Sequence, residues 1–211
     1  MSSSATNRVA SVILAAGKAE RMGQAKVLLE WMPNTTILEH IIDQLQKSQV
    51  VDPIIVITGA YGLYVTKIAQ RAGAVTVHNP DYTTYDMLSS LKAGLRHLQE
   101  HQTIQGALVV LGDQPQIEIT TIQSVVQAYW DGKGTIVAPQ FDGQRGHPIL
   151  FDMAHWDAIC HLPDDAAPRA LFAASPQAVF RVEIGSDSIL RDIDTPSDYA
   201  EERKRAGLAS L

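Results

Sequence analysis

The stretch Val12-Ile13-Leu14-Ala15-Ala16-Gly17-Lys18-Ala19-Glu20-Arg21-Met22-Gly23-Gln24-Ala25-Lys26 decides the fold. An apolar run passes into a loop of small residues, and the cations Lys18, Arg21 and Lys26 follow it. Small residues let backbone N–H groups approach a ligand closely, and cations beside them neutralise an anion. The pattern is a buried strand that opens into a loop suited to a polyphosphate. Leu14, Ala15, Ala16 and Gly17 supply the strand end and loop, and the three cations its positive charge.

Composition limits what such a loop serves. With 211 residues and 45% hydrophobic content, the chain builds one substantial core. Its net charge of −6 argues against a broad basic surface for nucleic acid, while a local basic pocket stays compatible with it. Cys160 is the sole cysteine, so no internal disulfide forms and a reducing compartment is expected. No run of eighteen apolar residues is present, and the start of the chain is short and polar. The expectation is a cytoplasmic protein with no membrane partner and no nucleic-acid partner.

Outward from the opening strand, short apolar runs alternate with helical periodicity. Strands are expected over 9–14, 54–58, 74–78, 107–111, 134–138, 148–151 and 178–182. Helices are expected over 35–48, 61–71, 85–99, 119–130, 153–160, 168–174 and 195–205. Thr36 followed by Glu39 has the spacing of a capping box for the first of these. Continuous apolar strands between helices imply a mostly parallel sheet covered on both faces, an α/β three-layer, Rossmann-like fold. The expected organisation is a flexible tail over 1–7, one domain over 8–206 and a short tail over 207–211.

Ligands of such sheets bind at the carboxyl ends of the strands. Gly112-Asp113-Gln114-Pro115 follows the apolar run Leu108-Val109-Val110-Leu111 and lies at such an end. A carboxylate facing a polyphosphate loop repels it unless a divalent cation lies between, so Asp113 points to Mg²⁺, with Mn²⁺ as a substitute. The competing role for Asp113 is a cap on the helix near Ile119, from which it is distant. A second carboxylate cluster occurs at Asp192-Ile193-Asp194-Thr195-Pro196-Ser197-Asp198. Taken alone, Asp194 or Thr195 there is best placed to cap the last helix, with Pro196 in its first turn.

The opening stretch resembles the L-A-A-G-x-S-x-R-M-G-x-x-K signature of the molybdenum-cofactor nucleotidyltransferases, with Ala19 where that family has Ser. Gly112-Asp113-Gln114-Pro115 is similar to the family's metal-binding motif. Arg191-Asp192-Ile193-Asp194-Thr195-Pro196 is similar to its closing motif, which implies Asp194 as the second metal ligand beside Asp113. Arg145-Gly146-His147-Pro148 resembles its R-G-H-P segment and implies that Arg145, Gly146 and His147 bind the acceptor. Asn79-Pro80 through Met87-Leu88-Ser89-Ser90-Leu91 fits in part: Asp86 and Leu88 replace two glycines, while Ser89 and Ser90 remain at a helix start that can donate N–H groups to the nucleotide.

The resemblance runs from Val12 to Tyr199. It implies transfer of a nucleoside monophosphate from an NTP to the phosphate of a molybdopterin-type acceptor, with release of pyrophosphate. Arg21, Lys26 and Asp113 would carry the catalysis. Ala16 favours the cytidylyltransferase branch and CTP, because guanylyltransferases of the group carry Gly at that position. The family also implies a molybdoenzyme or its chaperone as the receiver of the product. Alternatives are guanylyl transfer, transfer to a sugar phosphate, or a non-catalytic maturation partner. A dinucleotide-dependent oxidoreductase is disfavoured, because Ala15-Ala16-Gly17 lacks the G-x-G-x-x-G spacing.

Overall fold

The computed structural model describes residues 7–18, 23–83, 86–164, 166, 172 and 175–208. Arg21, Ala19, nearly all of the tail expected over 1–7 and most of the helix expected over 168–174 lie outside the described residues.

β1 (Arg8–Ala15) is buried almost throughout and pairs in parallel with β4 (Ile54–Thr58) on one side and β6 (Ile104–Leu111) on the other. β5 (Val75–His78) extends the sheet beyond β4, again in parallel. On the other side come β9 (Ile149–Asp152), β7 (Ile136–Phe141) and β10 (Val179–Glu183). Across the sheet the order is β10-β7-β9-β6-β1-β4-β5, with β8 (Gln144–Arg145) paired to β7.

The strands of the sheet fall close to their expected positions, but β9 runs antiparallel to both β6 and β7. The cause is local. Asp142 and Gly143 both take positive φ, 48° and 76°, and turn the chain back from β7 into β8. The few residues left before β9 hold no crossover helix, so a parallel return is impossible. Sequence periodicity also passed over the hairpin of β2 (Glu30–Met32) and β3 (Thr35–Thr36), which turns at Pro33-Asn34 with Asn34 at φ 59°.

Alternation along each strand divides the core between two faces. Val9 and Ile13 of β1 pack with α1 (Ile37–Ser48), α2 (Gly62–Arg71) and α4 (Ile119–Trp130). Ala10 and Val12 pack with α3 (Asp86–Gln99) and α5 (Trp156–Cys160). Leu91, Leu95 and Leu98 of α3 are core residues, as their spacing implied, and so is Leu88. Each such side chain contributes roughly 1.5–3 kcal/mol on burial. The capping box of α1 forms as expected: Glu39 N–H donates to the Thr36 hydroxyl, and the Glu39 carboxylate accepts from Thr36 N–H.

α6 (Pro196–Arg205) closes the fold against β2, where Tyr199 donates to the Glu30 carbonyl and Arg203 to the carbonyls of Glu30 and Trp31. Among the described residues, no helix is long and apolar enough to cross a membrane.

β1, β4, β5 and β6 are parallel, so the loops that follow them emerge at one edge. The chain leaves β1 toward β4 and β5, then returns to place β6 on the opposite side of β1. That reversal opens a crevice outside the ends of β1 and β6, where doubly wound sheets bind their ligands.

Candidate active site

The crevice is shaped by a close approach. Gly112 N–H donates to the Leu14 carbonyl at 3.1 Å, and a Cβ on Gly112 would lie 2.7 Å from that oxygen and 2.9 Å from Val27 Cγ1. Only glycine lets the loop after β6 sit this near the end of β1 and the short turn Lys26–Leu28. That contact sets Lys26 beside Asp113.

Lys26 Nζ donates to Asp194 Oδ1 at 2.6 Å and to Asp113 Oδ2 at 3.2 Å. All three side chains are largely shielded, with 16% of Lys26, 26% of Asp113 and 35% of Asp194 exposed. Burial pushes the Asp113 carboxyl above the usual carboxylate range; Lys26 opposes the shift and the nearby Asp192 adds to it. For Lys26, burial works against the charge, but the hydrogen bond to Asp194 and the charge of Asp113 outweigh it and raise its pKa.

The competing capping roles are absent from both carboxylates. α4 has Glu118 at its N-cap with no side-chain hydrogen bond, so Asp113 does not cap it. Thr195 caps α6 in a box with Asp198, and Pro196 occupies the first turn. Asp194 instead reaches Lys26 across the crevice. Asp192 is taken up differently, accepting from Gln114 Nε2 at 2.7 Å.

Gln114, inside the Gly112–Pro115 motif, and Gln116, outside any motif, fasten the closing motif to the loop after β6. Gln114 also reaches the Ile189 carbonyl at 3.5 Å, and Gln116 donates to the carbonyls of Ser188 and Arg191. Ile193 N–H donates to the Asp113 carbonyl at 3.1 Å. These bonds fix where Asp194 stands relative to Asp113. A paired glutamine spacing after Asp113 is the only trace of them in the sequence.

The Arg145-Gly146-His147 segment attaches to the same 187–194 chain. His147 N–H donates to the Ile189 carbonyl at 3.2 Å, and Gly146 N–H to the Pro139 carbonyl at 3.0 Å. A Cβ on Gly146 would lie 2.1 Å from the Ile189 oxygen, so only glycine fits there. Burial, with Arg145's charge adding to it, pushes the His147 imidazole down to about 4, so the ring is neutral at neutral pH. The Arg145 guanidinium lies 3.6 Å from the Phe172 ring centre and feels the positive charge of Arg181.

On the far side of the loop after β1, Lys18 Nζ donates to the Thr83 carbonyl at 3.0 Å. Gly17 is exposed, and a Cβ there would meet nothing within 4 Å, so packing within the chain does not demand a glycine. Ala16 is buried at 4% exposure, and its methyl faces Gly59, whose own Cβ would lie 2.8 Å from it and 2.8 Å from Tyr82 Cβ. The methyl at position 16 is thus covered by the chain itself at Gly59. Ser89 and Ser90 are buried on α3, where their hydroxyls accept from Asn79 Nδ2 at 2.8 and 3.1 Å. Those bonds hold the loop after β5 against the helix start.

Two carboxylates converging on a single ammonium are hard oxygen donors of the kind Mg²⁺ and Mn²⁺ prefer. Among the described residues, no group of three or more His, Cys, Asp or Glu side chains is placed to hold a metal. A divalent cation held by Asp113 and Asp194 would need water or substrate oxygens for the rest of its shell, as Mg²⁺ commonly does.

Comparison with known proteins agrees with this architecture. Residues 11–179 match the model of the MobA-like NTP transferase domain. The chain is 30% identical over 196 residues to the molybdenum cofactor cytidylyltransferase of Escherichia coli, covering 92% of this chain and 95% of that protein. It is 25% identical over 190 residues to a probable molybdenum cofactor guanylyltransferase of Rhodopirellula baltica, covering 89% of this chain and 88% of that one. The fold also matches the crystal structure of Rv0371C in complex with manganese from Mycobacterium tuberculosis, with a TM-score of 0.76, 23% identity, and coverage of 94% and 99%. The match of the family model to residues 11–179, on a mostly parallel α/β sheet and beside a relative 30% identical over most of the chain, places this chain in the MobA-like NTP transferase family as a nucleotidyltransferase.

Proposed function

We propose that the protein transfers CMP from CTP to the terminal phosphate of a molybdopterin-type acceptor and releases pyrophosphate, with Mg²⁺, or Mn²⁺ in its place, held by Asp113 and Asp194. The observation that carries this reading is the meeting of Lys26, Asp113 and Asp194 outside the ends of β1 and β6. The cytidylyltransferase relative supports the donor and the acceptor, and the manganese-bound neighbour supports a divalent metal.

The chemistry asks little of acids or bases. A phosphate monoester carries its second charge near neutral pH, with that pKa about 6, so it attacks the α-phosphorus without a general base. One P–O bond forms to the acceptor as the bond to the β-phosphate breaks, and the electron pair leaves with pyrophosphate. The protein's work is in-line positioning and neutralisation of growing negative charge. Backbone N–H groups of Ala16 and Gly17, past the end of β1, would serve the triphosphate together with the charges of Lys26 and Arg21, while Leu14 and Ala15 lie within the paired strand and only lead into the loop. Ser89 and Ser90 support the nucleoside side by holding the loop after β5. Arg145 and neutral His147 would serve the acceptor, with the guanidinium meeting its phosphate, while Gly146 is packed against Ile189 and fixes the segment that carries them. When bound, the divalent cation neutralises phosphate oxygens on the path of transfer.

Pyrophosphate release with each of the four NTPs, Mg²⁺ and a molybdopterin acceptor tests the reading. The expected result is release with CTP that depends on metal and acceptor together. Equal or greater release with GTP would replace the cytidylyl assignment with a guanylyl one. No release with any NTP would leave a non-catalytic maturation partner.

A further inference from the structure

Lys26 has two competing sets of partners: the triphosphate of the proposed reaction, and the carboxylates of Asp113 and Asp194. In the structure its ammonium sits on the two carboxylate oxygens that would receive a divalent cation, at 2.6 and 3.2 Å. An ammonium and a metal ion cannot share that gap. A bound Mg²⁺ takes oxygen ligands at about 2.0–2.1 Å, and two cations held on the same oxygens repel each other strongly.

The surrounding chain lets one side chain move without the rest. Val27 is buried at 8% exposure against Gly112, and Leu28 and Leu29 N–H groups close the turn onto the carbonyls of Ala25 and Lys26 at 3.0 Å each. The backbone at Lys26 is thus pinned, while its flexible four-carbon stem lets the ammonium change partners without moving the chain. A triphosphate bound at the loop after β1, as the proposed function has it, would offer that charge a second set of oxygens.

We propose that Lys26 is an exchangeable counter-ion: its ammonium competes with the divalent cation for Asp113 and Asp194, and nucleotide phosphates draw it away, so that metal and nucleotide bind cooperatively. The inference rests on the reading of Asp113 and Asp194 as metal ligands. Each ligand clears the way for the other, and linkage makes the coupling equal in both directions. Removing the ammonium should raise metal affinity in the absence of nucleotide and reduce the coupling to what direct phosphate–metal contact supplies.

The test is Mn²⁺ binding to the full chain, read from the free-Mn²⁺ electron paramagnetic resonance signal, with and without the α,β-methylene analogues of CTP and GTP. Wild type should gain affinity for Mn²⁺ by about 5- to 150-fold when an analogue is present. Lys26→Met should bind Mn²⁺ at least about fivefold tighter than wild type without nucleotide, and gain less from the analogue than wild type does. Lys26→Gln removes the same charge and carries the comparison if Lys26→Met does not fold. Lys18→Met controls for general loss of positive charge, since Lys18 bonds Thr83 and not the carboxylates; it should leave Mn²⁺ affinity unchanged. Equal affinity in wild type and both Lys26 variants, with binding still lost in Asp194→Asn, would overturn the exchange and leave the metal site standing. A matching rise in Lys18→Met would also overturn it. Binding insensitive to both Asp113→Asn and Asp194→Asn would overturn the metal-site reading and the exchange together.

Discussion

Lys26 and Asp194 stand 168 positions apart in the chain and meet at 2.6 Å, Nζ to Oδ1, across the crevice between β1 and β6. The contact joins the first loop of the sheet to the segment that leads into the last helix, and Asp113 completes it from the loop after β6. The proposed chemistry depends on that three-way meeting.

Asp113→Ala and Asp194→Ala should each lower turnover by about a hundredfold or more, because charge stabilisation in the transition state is lost. Both residues lie at the strand edge rather than in the core, so far-UV circular dichroism should be unchanged. Steady-state transfer assays at saturating NTP check this; near wild-type turnover in Asp113→Ala would remove it from the catalytic set.

The three cations of the first loop should separate. Lys26→Ala is expected to lower turnover about a hundredfold, and Arg21→Ala should weaken NTP binding and slow transfer. Lys18 makes one exposed hydrogen bond to Thr83, so Lys18→Ala should change turnover by no more than about fivefold. Isothermal titration of NTP together with transfer rates distinguishes them. Equal tolerance at all three positions would indicate a loop that no longer handles phosphate.

Much of this was legible in the sequence because it is local. Apolar runs and 3.6-residue periodicity located the strands and helices, and Thr36 with Glu39 announced the first cap. Asp113 was legible because a carboxylate directly after a buried strand has few structural uses. The antiparallel β9 was not, because an apolar run carries no strand direction; only the turn at Asp142-Gly143 decides it. The salt bridges of Lys26 were not legible either, since a pairing over 168 positions has no local signature. Ala16 shows a third limit. Its identity was plain, but its methyl turns to Gly59 and Tyr82, a direction that only packing fixes.

Gly146→Ala should destabilise the protein by about 1–3 kcal/mol or more, as overpacking against a fixed backbone does. The added carbon would meet the Ile189 oxygen at 2.1 Å. The same push displaces the segment that carries Asp192 and Asp194, so transfer should fall as well. Urea unfolding monitored by tryptophan fluorescence gives the stability, and an unchanged midpoint would contradict the close approach.

His147 gives stability a pH dependence of defined sign. The unfolded chain protonates this ring as pH falls through the ordinary 6.5, whereas the folded chain resists until about 4. Within that window the unfolded state binds more protons, so the contribution is fully present above it and is lost as pH falls through it. Its size is at most about 3 kcal/mol. Unfolding free energies of wild type and His147→Asn, measured from pH 7.5 to 4 (a range set by the shift), should show the wild type losing more stability on acidification. Parallel curves would place the ring in water.

The measurement that bears most directly on the central claim is transfer of label from α-phosphate-labelled CTP or GTP to a molybdopterin acceptor, run side by side with Mg²⁺, with chelator, and with Asp194→Asn. The account predicts label on the acceptor with CTP at roughly ten to two hundred times the rate with GTP, abolished by chelator and cut about a hundredfold by Asp194→Asn. Label transfer that persists with chelator, or that is untouched by Asp194→Asn, would contradict it.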